Sequence, residues 1–317
     1  MTPYISKAIS VSRFPMICGI VFIHTQIFES TYFSLFCGEI FGRIGVPLFY
    51  FISGYLFFQN YNNTLIEYKN KLSKRIYSLL IPYFLWNFIA YIVYVFITHE
   101  MNLSQILESF WSVSNKEGTS PADGPLWFIR NLMIYSILSP FIYILNSKKY
   151  LSWFSPFLLL CWLLNLSGVN KGIITGFIFF NIGSWFAIYK IDKFLKKPSK
   201  TLALIAFSFW AICSFIELLW LHDIRYHKFV ILIGFVMFYS LPVICKSNKY
   251  EKLVGYSFFL YCVHEIVIKV YQKIGLDLID KAGYFFFTLL VILTSMCLGY
   301  VIKQVSPSIF KLLAGAR

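Results

Sequence analysis

Residues 12–26 read SRFPMICGIVFIHTQ, an apolar run with an arginine near its start (Arg13) and a histidine near its end (His24). Whether this run lies in a membrane decides the fold, and the rest of the chain answers that. Of the 317 residues, 58% are hydrophobic and 21% aromatic, while only 13% are charged. An ordinary globular domain is roughly 25% charged. With a mean hydropathy of +0.69, the chain has too little polar surface to coat a soluble globule of its size. Apolar stretches of about 20 residues recur from end to end, as a polytopic helical membrane protein requires.

The expected fold is all-α, with about ten transmembrane helices near 8–28, 41–60, 78–98, 126–145, 151–167, 172–189, 202–220, 228–245, 255–272 and 283–303. With the N-terminus placed in the cytoplasm, the inner side collects 19 of the 28 lysines and arginines and 3 of the 14 acids. The segments 67-EYKNKLSKR-75, 146-NSKKY-150, 190-KIDKFLKKPSK-200 and 246-KSNKYEK-252 are all lysine-rich. By the positive-inside rule this predicts both termini inside and ten crossings. The net charge of +14 is then a topology signal, and no nucleic-acid partner is expected. A single membrane domain, 1–317, is expected, with no appended soluble domain. The N-terminus does not read as a signal peptide, because Arg13 and His24 interrupt the apolar region and no small-x-small cleavage site follows. Six of the seven cysteines fall in or at the ends of apolar runs, and Cys37 stands alone in a candidate outer loop. Neither a disulfide framework nor a metal site is expected from their spacing.

Arg13 and His24 are eleven residues apart, three helical turns plus roughly 20°, so they share one helix face about 16 Å apart along the axis. Arg13 lies near the inner surface and His24 deeper, toward the outer half. Ionisable groups at such depth usually face a protein interior or a wet cavity. The alternatives are an arginine that snorkels to the interface and a neutral histidine hydrogen-bonded between helices.

Several stretches, in order, resemble one family. These are the Arg-x10-His pair, 43-RIGVPLFYFISGYLFF-58, 74-KRIYSLLIPYFLW-86, 126-LWFIRNLMIYSILSP-140 and 257-SFFLYCVHEIVI-268. Together they are similar to the motifs of the acyltransferase-3 family of integral membrane O-acyltransferases. The resemblance implies an enzyme that takes an acyl group, by default acetyl, from cytoplasmic acyl-CoA. It would deliver that group to a hydroxyl of an extracytoplasmic or lipid-linked glycan, from the inner membrane of a bacterium. Acetyl-CoA would be a co-substrate, and no metal is implied.

On that reading Arg13, Lys74 and Arg75 meet the phosphates of the donor, and Ser53, Gly54 and Tyr55 line its path. Gly54 serves either a ligand or close helix packing. His24 acts either as general base or as an acyl-accepting nucleophile. Arg43, Trp127, Arg130, His264 and Glu29 are candidates for holding the acceptor. Each has a plainer reading: ion pairs with Glu29, Glu39 or Asp123 for the arginines, an interfacial belt for Trp127, and a solvated loop acid for Glu29, which sits 140° round the helix from His24. At least one of His264 and Glu265 should face the interior, since they point about 100° apart. His222 and His227 read as loop residues. The competing function is a transporter or flippase for a polar solute or lipid-linked sugar, against which stands the absence of a visible internal repeat. A glycan polymerase fits least, because the loop 99–125 holds no arginine.

Overall fold

A computed structural model describes residues 1–25, 31–99, 123–166, 172–221, 223–245, 249–276 and 283–315. Among these residues every regular element is helical and there is no strand. Helix α1 spans Pro3–His24; the Thr2 hydroxyl accepts from the Ile5 amide and proline occupies the first turn, where its missing N–H costs nothing. Helix α2 runs Tyr32–Phe58 from a Thr31–Ser34 capping box and has a π-helical stretch at Leu35–Gly42. Helix α3 is long, Leu65–Thr98, with Thr64 as its N-cap, a second π-helical stretch at Ile76–Leu80 and a left-handed stop at His99.

A short 3-10 turn, Gly124–Leu126, leads into α4, Trp127–Ile137, and then α5, Ser139–Ser147. The two helices bend by 62° at their junction. Pro140 at the start of α5 cannot donate to the turn before it and restricts its predecessor, so one straight span is not available. There follow α6 Phe154–Leu163, α7 Gly172–Ile188, α8 Lys200–Leu219, α9 Ile224–Ile244, α10 Lys249–Val254, α11 Ser257–Lys273, α12 Gly283–Val305 and α13 Pro307–Leu313.

A helix covers each of the ten expected spans, but length and composition support fewer crossings. Among the described residues six helices are long and apolar enough to cross a membrane, or seven if the bent pair counts as one. Helix α6 has ten residues, about 15 Å of rise against about 30 Å of hydrocarbon. The third expected span starts well before 78, because the amphipathic segment Leu65–Arg75 continues into it without a break. Exposed Phe88, Phe96, Phe215, Phe286 and Leu293 give the bundle an apolar outer surface suited to lipid. All seven cysteines are free thiols.

Helix α1 packs against α2, α9, α11 and α12, and α2 lies along α7. That second contact depends on glycine: a Cβ on Gly54 would run into the Phe180 carbonyl, and one on Gly183 into the Phe51 carbonyl. Without a hydrophobic drive between helices in lipid, such backbone approach is what small residues provide. Nearby, the Asn146 amide donates to Asn181 Oδ1 at 2.6 Å and Ser184 Oγ at 2.7 Å. The Asn181 amide donates to Ser155 Oγ at 2.8 Å. These bonds tie α5, α6 and α7 together where an unpaired amide would be costly.

Candidate active site

His24 is the last residue of α1, and the end of that helix is fastened to α12. The Tyr284 hydroxyl donates to the Phe22 carbonyl at 2.7 Å, and the Thr25 and Thr288 hydroxyls lie 2.7 Å apart. Helix α11 brings Tyr261, His264 and Glu265 to the same place. His24 Nδ1 is 3.5 Å from Glu265 Oε2, with the two side chains 31% and 19% exposed. The His24 and His264 ring centroids are 5.2 Å apart.

His264 is fully buried. Its Nδ1 sits 2.7 Å from the Tyr261 carbonyl, and a carbonyl only accepts, so the proton is on Nδ1. Nε2 has no hydrogen-bond partner among the described residues. Lys269 Nζ lies 3.8 Å from Glu265 Oε1. The imidazole of His24 thus has a carboxylate on one side and a second imidazole on another. His24, His264 and Glu265 hold one ligand-type atom each within 4.8 Å of one another, a donor set that fits a metal ion as well as proton transfer.

The turn before α4 closes one side. Tyr261 donates its hydroxyl hydrogen to the Pro125 carbonyl, and Gly124 approaches Glu265 closely enough that a Cβ there would lie 4.0 Å from Oε1. Asn87 Oδ1 accepts from the Asp123 amide at 3.3 Å. Asp123 itself is fully buried, and neither of its carboxylate oxygens has a partner among the described residues. Burial, and then the charge of Glu265, push its carboxyl well above the usual carboxylate range.

From the lysine-rich end two voids lead toward this centre. The outer one, about 430 Å³, is lined by Glu67, Asn70, Lys71, Lys74, Arg75 and Ser78 along with Leu56 and Phe57. The inner one, about 100 Å³, includes Arg13, Ile20, Ser53, Arg75, Ser257 and Tyr261 in its walls. They share Leu56 and Arg75. Ile20 is one helical turn before His24 and Tyr261 one turn before Glu265, so the inner void is lined from the same stretches of α1 and α11 that carry the imidazole and the carboxylate.

The expected site residues therefore divide. Arg13, Ser53, Lys74 and Arg75 gather on the two voids, and Arg75 Nη2 donates to the Ser53 carbonyl at 3.2 Å. Gly54 does not: its face is closed by the Phe180 backbone, so helix packing takes up the close approach. Tyr55 lines a different, apolar cavity beside Asp192. His264 joins His24. Arg43 is held by Glu39 at 3.0 Å in an exposed i,i+4 pair, the plainer reading. Trp127 is half-buried, its ring 6.5 Å from that of Tyr50. Arg130 has tyrosines 50, 83 and 135 as its charge neighbours, and its Nε and Nη1 lack hydrogen-bond partners among the described residues. Glu29 and His222 lie outside the described residues, as does most of the loop 99–125. His227, expected in a loop, is in the first turns of α9, with Nδ1 2.6 Å from Glu217 Oε1.

Sequence reasoning missed the pairing of Glu265 with His24, the buried Asp123, and Lys71. The Lys71 ammonium donates to the carbonyls of Phe57 and Gln59 at the end of α2. The Tyr-x-x-His-Glu spacing in 261–265 was the available signal for the first, since one turn of helix places Tyr261 under Glu265.

An all-α bundle with an apolar exterior has a basic void at one end and places an imidazole beside a carboxylate at the head of α1. The comparisons with known proteins make the class specific. The chain belongs to the acyltransferase-3 family, whose Acyltransferase domain matches residues 7–303. It is 24% identical over 354 residues to the Succinoglycan biosynthesis protein ExoH of Rhizobium meliloti (strain 1021), covering 100% of this chain and 94% of that relative. No solved structure matches. The chain is accordingly a membrane acyltransferase.

Proposed function

We propose that the enzyme moves an acyl group from acyl-CoA, bound at the lysine-rich end, to a hydroxyl of a cell-envelope glycan, from the cytoplasmic membrane of a bacterium. One observation carries this: a basic void at the lysine-rich end shares Leu56 and Arg75 with a largely apolar inner void, whose walls include Ile20 and Tyr261, one turn before His24 and Glu265 on their helices. The resemblance of the chain to a succinoglycan biosynthesis protein supports a glycan as acceptor.

Lys71, Lys74, Arg75 and Arg13 are the cations available to the donor's phosphates, and the thin acyl-bearing arm fits the narrow inner void better than any bulky group would. His24 takes the proton of the acceptor hydroxyl as its oxygen attacks the thioester carbonyl. The tetrahedral intermediate collapses with cleavage of the C–S bond, and the leaving thiolate receives the proton from His24. Glu265 orients His24 and stabilises the imidazolium that forms between the two transfers. The donor set of the site does not decide between this direct route and transient acylation of His24. Acetyl is the simplest acyl group for so narrow a void.

The test uses purified protein in liposomes with radiolabelled acetyl-CoA and a surface-glycan extract. Label should pass to the glycan with the wild type and not with His24→Ala. Full transfer by His24→Ala would refute the assignment, and label trapped on the protein at His24 would decide for the two-step route.

A further inference from the structure

A third void lies on the other side of α1 and α2 from the donor path. It has a volume of about 500 Å³ and is walled by apolar side chains including Ile9, Leu48, Phe51, Phe179, Phe186 and Phe235. Of the polar groups that touch it, the Tyr55 hydroxyl has no hydrogen-bond partner among the described residues, and the others are engaged. The Ser12 hydroxyl donates to the Phe238 carbonyl at 3.2 Å, the Tyr239 hydroxyl to the Lys196 carbonyl at 3.1 Å, and Asp192 pairs with the N-terminal amine at 3.5 Å. Apart from that one hydroxyl, what remains is a surface that offers dispersion and burial. Apolar cavities of this kind exclude water and take up apolar molecules. Its volume falls within the range of small-molecule sites, about 300–1,000 Å³.

Two lining residues, Leu195 and Val236, are exposed, so the void reaches the protein surface. At that mouth the chain runs 190-KIDKFLKKPSK-200. Lys193, Lys196, Lys197 and Lys200 are exposed and form no ion pair among the described residues. An apolar chamber with an unneutralised cationic rim, in a protein immersed in lipid, matches one chemistry in both parts. We propose that this cavity holds an acyl chain of an anionic phospholipid whose phosphate headgroup rests on lysines 193–200. Basic clusters beside membrane-spanning helices favour anionic headgroups in this way. Ile52 lines both this cavity and the inner donor void, so the lipid chain would also back the wall of the donor path.

The test measures lipid retained by the purified protein, by native mass spectrometry, after exchange into micelles with equal phosphatidylglycerol and phosphatidylcholine. The wild type should retain phosphatidylglycerol with about tenfold preference. The exposed triple variant Lys193→Gln, Lys196→Gln, Lys197→Gln should fold normally and lose that preference. Ala8→Trp, which fills the cavity from α1, should lose the bound lipid itself. Equal retention of the two lipids by the wild type would overturn the charged-rim assignment. Unchanged retention in Ala8→Trp, confirmed as folded by its melting transition, would overturn the cavity assignment. Retention of a lipid-linked sugar in place of phosphatidylglycerol would overturn the choice of occupant.

Discussion

Replacing Glu265 by glutamine keeps the shape of the side chain and removes its charge. In the wild type the carboxylate is 3.5 Å from His24 Nδ1. At that distance and an effective dielectric of about 20, the bare attraction to an imidazolium is about 5 kcal/mol. The pair is 31% and 19% exposed and Lys269 competes for the same carboxylate, so screening reduces it. An opposite charge this near shifts an ionisation equilibrium by about 1–3 units, which is about 1.4–4 kcal/mol. Roughly half of that is felt in a transition state where the proton is partly transferred. Glu265→Gln should therefore lower turnover by about threefold to thirtyfold, with little change in the donor's apparent affinity. The assay is initial-rate transfer of labelled acyl group in liposomes. In the background of His24→Ala, the same substitution should cost almost nothing more, because it acts through the imidazole. Full activity in Glu265→Gln, or a full further loss in the double variant, would refute the coupling of the two residues.

Three other outcomes are expected. Arg13→Ala and Arg75→Ala should weaken the thermal stabilisation given by millimolar CoA and raise the donor KM while changing turnover less; unaltered stabilisation in both would move the donor site elsewhere. Gly54→Ala should destabilise by about 1–3 kcal/mol, since the added methyl meets the Phe180 backbone, read as a lowered melting temperature. Asp123 has its carboxyl raised by burial and by Glu265, so the folded state holds a proton that the unfolded state releases at about pH 3.9. Stability should then fall as pH rises from there through the raised value, and Asp123→Asn should flatten that slope in thermal melts.

The helices and their order were legible because apolar runs of membrane length leave little alternative, and α1 needed only its own spacing to join Arg13 and His24. What was not legible depends on contacts between distant helices. Glu265 is 241 positions from His24 in the chain, and no period in either segment announces that they meet. Gly54 sat in a stretch that looked like a donor wall, yet α7 packs on it, and only the position of Phe180 distinguishes the two. The bend between α4 and α5 was signalled by Pro140 but hidden by an unbroken apolar run. Asp123 reads as an outer acid for an arginine to pair with, its neighbours in sequence being Gly, Pro and Ala; the fold buries it, with its amide on Asn87.

The π-helical stretch Ile76–Leu80 acts as a phase joint in α3. Each residue added to a helix turns the downstream segment by about 100°, so the wider turn sets the facing of Lys71, Lys74 and Arg75 independently of the facing of Tyr83, Trp86 and Asn87. Deleting a single residue there would leave both halves helical and both sets of side chains intact in composition. It would rotate the cations out of register with the residues that surround Asp123, uncoupling the two ends of the enzyme without removing a functional group from either.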